Sequence, residues 1–230
     1  MKKQKIKYLN ENLFKDIKMK NKSSLFRIAG IFGILLPLIV FTFIGISIYY
    51  APWFSWTENW LSELGGTAGE TPIYAARGVS SIIFNVGLII AGGFGVICAF
   101  ATSKIKVLKN SLGNLGTSLL IADMFALLAI GIFPLTIEYM HEKVSFLFFF
   151  LVPLSLIPIG LVLKNTEEKK FGWLIIMLGV ASSSSFPLFF VPQPWGSNAV
   201  IEMIPATSLS ICAIIFGINL LKDNFELVNY

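Results

Sequence analysis

The stretch FRIAGIFGILLPLIVFTFIGISIY, residues 26–49, carries one charged side chain, Arg27, at its edge. Built as a helix rising 1.5 Å per residue, it reaches about 36 Å, more than the ~30 Å hydrocarbon core of a bilayer. A soluble helix needs a polar face, and Thr42 and Ser47 alone do not make one. The stretch therefore reads as a membrane span. It is too long for a signal-peptide core and follows a long lysine-rich leader, so it is expected to remain as an uncleaved first span.

Five further stretches have the same character, at about 73–101, 112–134, 144–163, 171–191 and 200–221. The second is long enough to tilt or to begin as an interfacial turn. One loop of more than twenty residues and four short loops separate the six, and short loops make successive helices antiparallel neighbours. The expected fold is an all-α integral membrane protein, a bundle of six transmembrane helices. A basic tail over residues 1–24 precedes the membrane domain at 25–222, and a short tail at 223–230 follows it. Composition agrees. Of 230 residues 55% are hydrophobic and 13% charged, against about 25% charged in a soluble domain, and the mean hydropathy is +0.76. The first loop has no counterpart in the second half, so no transporter-type repeat is read.

The net charge of +5 is unevenly placed. Eight lysines precede the first span; the loops at 102–111 and 164–170 hold three each and the C-terminal tail one. With Arg27 these make sixteen cations on one side, against Arg77 and Lys143 on the other. Positive loops stay cytoplasmic, so both termini are expected inside and the long first loop outside, in the cell membrane. The lysines have no aromatic interleaving and suit anionic headgroups, not nucleic acid. Cys98 and Cys212 lie inside spans as small packing residues, neither a disulfide framework nor a metal pair.

The first loop contains ENWLSELGG, residues 58–66. Ser55-Trp56-Thr57-Glu58 fits a capping box and Gly65-Gly66 a helix stop. A two-turn interfacial helix is therefore expected, with Trp53, Trp56, Trp60 and Leu64 on its membrane face. Ser55, Glu58, Asn59 and Ser62 take its wet face. Glu63 falls beside Trp56, where a carboxylate needs a hydrogen-bonding or cationic partner.

Helical rise places the other polar residues in two layers. Asn59, Ser62, Glu63, Arg77, His141 and Glu202, with Glu138 nearby, form a candidate outer site. Asn85 and Asp123 form a candidate mid-membrane pair, both about 16 Å deep. Small residues recur beside them at helical spacing, Gly78, Ser81, Gly92, Gly95 and Ala99 in the second span and Ala206, Ser210, Ala213 and Gly217 in the sixth. Such stripes mark packing faces. Ser182–Ser185 reads as helix packing or cavity lining. A lone histidine makes a zinc site weak, and neither a metal nor a cofactor is expected. A Ser62–His141 nucleophile pair lacks a surrounding elbow motif.

The segments NWLSELGG, FNVGLIIAGG, GIFPLTIEYMH and IEMIPA, in that order, resemble an archaeal and bacterial membrane family catalogued as domain of unknown function 998. The resemblance covers about residues 25–221. It implies six helices and recurrent polar positions at Asn59, Ser62, Glu63, Gly65, Asn85, Pro134, His141 and Glu202. A shorter likeness, through Leu61-Ser62-Glu63-Leu64-Gly65, Pro72 and Phe84, is to the eukaryotic Frag1/DRAM/Sfk1 membrane group. Some members of that group act in lipid remodelling. Three functions are thus expected in turn: lipid handling at the outer site, a membrane-embedded hydrolase or transferase acting on lipid through Glu63, His141 and Glu202, or a small transporter using Asn85 and Asp123. Membrane lipids are the expected partners.

Overall fold

The computed structural model describes residues 2–66, 78–222 and 225, with side chains described from residue 26 onward. No strand occurs among the described residues. Six long helices carry the chain: α1 (Lys2–Tyr49), α2 (Gly78–Thr102), α3 (Ser111–Ile132), α4 (Glu138–Leu163), α5 (Lys169–Leu188) and α6 (Ala199–Leu221). All six hold a segment long and apolar enough to cross a membrane, beginning at Phe26 in α1. Large apolar side chains such as Leu38, Ile82, Phe125, Trp173, Met177 and Val180 point outward around the bundle. Water would not tolerate so wide an apolar belt, whereas lipid matches it. The protein is a multi-pass membrane protein.

The helices form a closed ring. Each packs on its sequence neighbours, and α6 returns to pack on α1. Glycines set the close approaches. A Cβ on Gly217 would lie 2.6 Å from the Gly30 carbonyl oxygen, and one on Gly33 would lie 2.8 Å from that of Ala213. Backbone therefore meets backbone where α1 joins α6. Gly92 and Gly131 do this between α2 and α3, Gly116 between α3 and α4, and Gly160 between α4 and α5. Among the described residues no glycine closes α5 on α6, and that seam is more sparsely packed than the others.

Local signals explain the helix ends. Asn110 caps α3 by accepting the Gly113 N–H at 2.9 Å. Prolines inside four of the helices, at 37, 153, 158, 187 and 205, are tolerated because neighbouring helices and hydroxyls can satisfy the freed carbonyls. The expected spans match to within a few residues, except that α4 starts six residues early, at Glu138. The expected start of the second span, at 73, lies outside the described residues.

The first loop departs from expectation. Ser55–Glu58 does not open a two-turn helix. Its residues form a turn in which the Ser55 N–H bonds Asn59 Oδ1 at 2.9 Å. The helical part is a single 3₁₀ turn, Leu61–Gly65, here termed the LSELG turn. Leu61, Leu64 and Gly65 are buried, so this turn is driven into the end of the bundle by its leucines. Gly66 ends it at φ 137°, a left-handed conformation that suits glycine. Trp56 and Trp60 are 41% and 44% exposed at its edge.

Candidate functional site

The LSELG turn caps one end of the ring, and each of its ends is tied down. At its start, the Ser62 N–H donates to Glu202 Oε2 at 3.0 Å and the Ser62 hydroxyl to Oε1 at 3.4 Å. Glu202 sits in the first turn of α6 and is only 8% exposed. At its end, Asn85 Nδ2 donates to the Gly65 carbonyl at 2.9 Å and the Ser80 hydroxyl to the Leu64 carbonyl at 3.3 Å. Ser47 of α1 in turn hydrogen-bonds Ser80. Side chains from α1, α2 and α6 thus hold a one-turn element that could not stand alone.

Glu63 has local partners. Its Oε1 accepts the Trp60 N–H at 2.9 Å and its Oε2 accepts Asn59 Nδ2 at 3.0 Å. This is the carboxylate half of a capping box, shifted five residues along from the expected one. Trp60 has no side-chain acceptor for the other half. The loop before α6 closes over the same end. Ser197 Oγ donates to the Trp56 carbonyl at 2.6 Å, and the Trp195 indole N–H to the Ser197 carbonyl at 2.8 Å.

Beneath this cap lies a cavity of about 720 Å³, within the 300–1,000 Å³ range of small-molecule sites. Val40 and Ile44 of α1, Leu88 and Ala99 of α2, Met124 and Leu127 of α3, and Leu209 and Ala213 of α6 are among its walls. Along α6 its lining runs from Glu202 to Phe216, about 21 Å of helix. At the far end Phe216 meets Phe171 edge-on at 4.9 Å and Phe225 at 5.9 Å. Phe216 lines that end of the cavity together with Cys98 and Thr102 of α2. At the cap end the lining turns polar, with Ser62, Glu63, His141, Glu142, Ser145 and Glu202. Trp60, Glu142, Phe146 and Phe190 line the cavity and are also exposed, which puts its mouth beside the start of α4 and the end of α5. Phe189 stands in that mouth, stacked on Trp60 at 6.1 Å and packed on Phe149 at 4.8 Å.

The candidate outer residues accordingly meet, with one exception. Ser62, Glu63, His141 and Glu202 line one cavity end, and Asn59 braces Glu63. Arg77 lies outside the described residues. His141 is buried at 4% exposure, and its Nδ1 lies 2.8 Å from the Phe133 carbonyl. A carbonyl only accepts, so Nδ1 carries the hydrogen and Nε2 of the neutral ring keeps a lone pair. Glu138 is exposed. The Ser62 hydroxyl is turned to Glu202, and the His141 contact is to backbone, so the two do not form a nucleophile pair here. Among the described residues no three His, Cys, Asp or Glu side chains converge as metal ligands.

The mid-membrane pair is corrected. Asn85 belongs to the cap through Gly65, and its backbone oxygen lies level with Gly131 of α3. Asp123 is eight residues further along α3, about 12 Å away along the axis. The described part of α2 begins at Gly78, and its antiparallel register raises Asn85 toward the cap. Asp123 is fully buried and neither carboxyl oxygen has a protein hydrogen-bond partner. It is not among the residues that line the cavity. Ser182 and Ser185 are buried and bond carbonyls of their own helix.

Several contributors escaped the sequence reading. Glu142 and Ser145 extend the His141 face of α4, and Phe186, Phe189 and Phe190 form an i, i+3, i+4 stripe at the mouth. That spacing was visible in the sequence. The Ser62–Glu202 bond, across 140 positions, was not.

The family model described as "Protein of unknown function (DUF998)" matches residues 34–219. That interval takes in four spans whole, most of the first and sixth, the LSELG turn and both ends of the cavity. The chain belongs to this family. No curated protein and no solved structure matches the chain.

Proposed function

We propose that this DUF998 protein binds a membrane lipid, with an acyl chain in the central cavity and the headgroup at the cap. One observation carries the reading: a mostly apolar cavity about 21 Å long inside a membrane bundle, with its carboxylates and histidine gathered at the cap end. A lipid has that polarity. A single leaflet contributes about half of the ~30 Å hydrocarbon core, ~15 Å, so a full chain fits the length. The sparse α5–α6 seam and the exposed aromatics beside it offer a sideways route from the bilayer. The lysine distribution favours placing the cap outside, with both termini in the cytoplasm of a cell whose outer membrane surface supplies the lipid. The transport reading needed Asn85 and Asp123 together, and their separation along α3 removes its support.

The test is photocrosslinking. A photoreactive residue at Leu209, inside the cavity, is expected to capture lipid chains in native membranes. The same residue at Ile201, buried but absent from the cavity wall, is expected to capture protein. Capture of protein alone at Leu209 would mean the space is closed to lipid.

A further inference from the structure

The shape of the cavity selects among hydrocarbon chains, and this step rests on the lipid reading above. Below the cap the cavity narrows to a shaft hollowed by small side chains. Gly95 and Ala99 of α2, and Ala206, Ser210 and Ala213 of α6, recur along its wall at helical spacing. The shaft runs about 21 Å along α6, Glu202–Phe216, and about 27 Å along α2, Phe84–Thr102. Helical side chains lean toward the N-terminus of their own helix, which for α2 and α6 is the cap end. Phe216 therefore leans up the shaft, and the shorter length limits what fits. The far end is enclosed. Ala99, Thr102, Cys212 and Phe216 line it and none is more than 5% exposed, whereas the mouth residues Trp60, Glu142, Phe146 and Phe190 are exposed. Thr102 Oγ1 donates to the Cys98 carbonyl at 2.9 Å, and Cys98 Sγ to the Ala29 carbonyl at 3.2 Å. Both hydrogens are committed to backbone, so this end suits the methyl terminus of a chain and not a second headgroup.

Width and length then fix the occupant. A volume of about 720 Å³ spread over about 21 Å gives a mean cross-section of about 34 Å², a channel roughly 7 Å across. Non-bonded carbons approach to about 4 Å, so one extended chain fits and two abreast, needing about 8 Å or more, do not. A carbon–carbon bond of about 1.52 Å at a tetrahedral angle advances an extended chain by about 1.25 Å, so the shaft holds about seventeen bonds. We infer that the cavity is a ruler for one hydrocarbon chain of about sixteen to eighteen carbons, with Phe216 as its stop. A lipid with two chains seats one in the shaft and leaves the other in the bilayer beside the mouth.

The experiment mixes full-length protein in nonionic micelles with saturated lysophosphatidylcholines of twelve to twenty-two carbons, and a parallel series uses monoacylglycerols. The readout is each homologue's share on the protein, by native mass spectrometry, divided by its share in the micelles. That ratio cancels the general gain of apolar burial with length. Enrichment is expected to peak at about sixteen to eighteen carbons in both series and to fall about threefold or more by either end of the range. Ala213→Leu, three residues above Phe216 on the shaft wall, is expected to move the peak down by about four carbons. Phe216→Ala is expected to move it up by about two or more. Because Phe216 packs on Phe171 and Phe225, its variant is the one at risk of misfolding, and the wild-type peak and Ala213→Leu decide the matter without it. Enrichment that rises steadily with length, or a peak that Ala213→Leu leaves in place, overturns the ruler and leaves the lipid reading standing. If no homologue of either series is enriched on wild type above its level on Ala206→Phe, which fills the shaft, the lipid reading itself fails.

Discussion

Removing the Glu202 carboxylate should release the cap. In Glu202→Ala the Ser62 N–H loses its acceptor at 3.0 Å, and the Ser62 hydroxyl loses a longer contact at 3.4 Å. A hydrogen bond contributes about 0.5–1.5 kcal/mol net, and leaving the partly buried Ser62 N–H without an acceptor costs about 1–3 kcal/mol. The longer contact adds little at that distance. A loss of about 2–3 kcal/mol is expected, which for a chain of this length lowers the melting temperature by roughly 4–12 °C. Glu202→Gln keeps one oxygen for the N–H and should fall by less than half as much. Cys98 and Cys212 provide the assay, since both are at least partly buried within spans and become reactive to a thiol dye only on unfolding. If Glu202→Ala melts within a degree of wild type, Ser62–Glu202 is not the clamp and the cap is held by its leucines alone.

Other expectations follow from the same geometry. A Cβ on Gly65 would lie 2.6 Å from Asn85 Oδ1, so Gly65→Ala should cost about 1–3 kcal/mol in the same melting assay. Gly93→Ala, with nothing within 4 Å of its added Cβ, should be neutral or stabilising. Asp123→Leu should leave the melting temperature unchanged or raise it, because the carboxyl has no protein partner. A fall of about 1 kcal/mol or more, ~3 °C, would mean that Asp123 serves a water, ion or ligand inside the bundle. A cysteine at Thr57 should react with an impermeant maleimide on intact cells, and one in the basic N-terminal tail should not. The reverse pattern would invert the proposed orientation.

The sequence was most informative where the physics is local. Apolar runs of membrane length define the spans, since nothing distant is needed to make residues 26–49 insoluble in water. The small-residue stripes correctly marked Gly92, Gly95 and Gly217 as contact positions, because only a missing side chain permits backbone to approach. The first loop was harder. Ser55–Glu58 carries the letters of a capping box, but Asn59 competes for the Ser55 N–H and the buried leucines pull the helical turn to Leu61–Gly65. Glu63, expected to need a hydrogen-bonding or cationic partner, is bonded by its own neighbours Asn59 and Trp60. Glu202 makes a remote bond, to a partner 140 residues away. The contact of Asn85 with Gly65 could not be read either, because it depends on the register of α2 against the turn and α3. The cavity could not be read at all, since it is the space that six helices leave between them.

That space is also where the account is most exposed. Native mass spectrometry of the protein released from membranes would test it directly. The wild-type chain is expected to carry one retained lipid-sized mass, and Ala206→Phe, which fills the shaft below Glu202, is expected to lose it while melting as wild type does. A wild-type chain that flies without lipid, or an Ala206→Phe chain that retains as much, would contradict the proposal that the cavity is a lipid site.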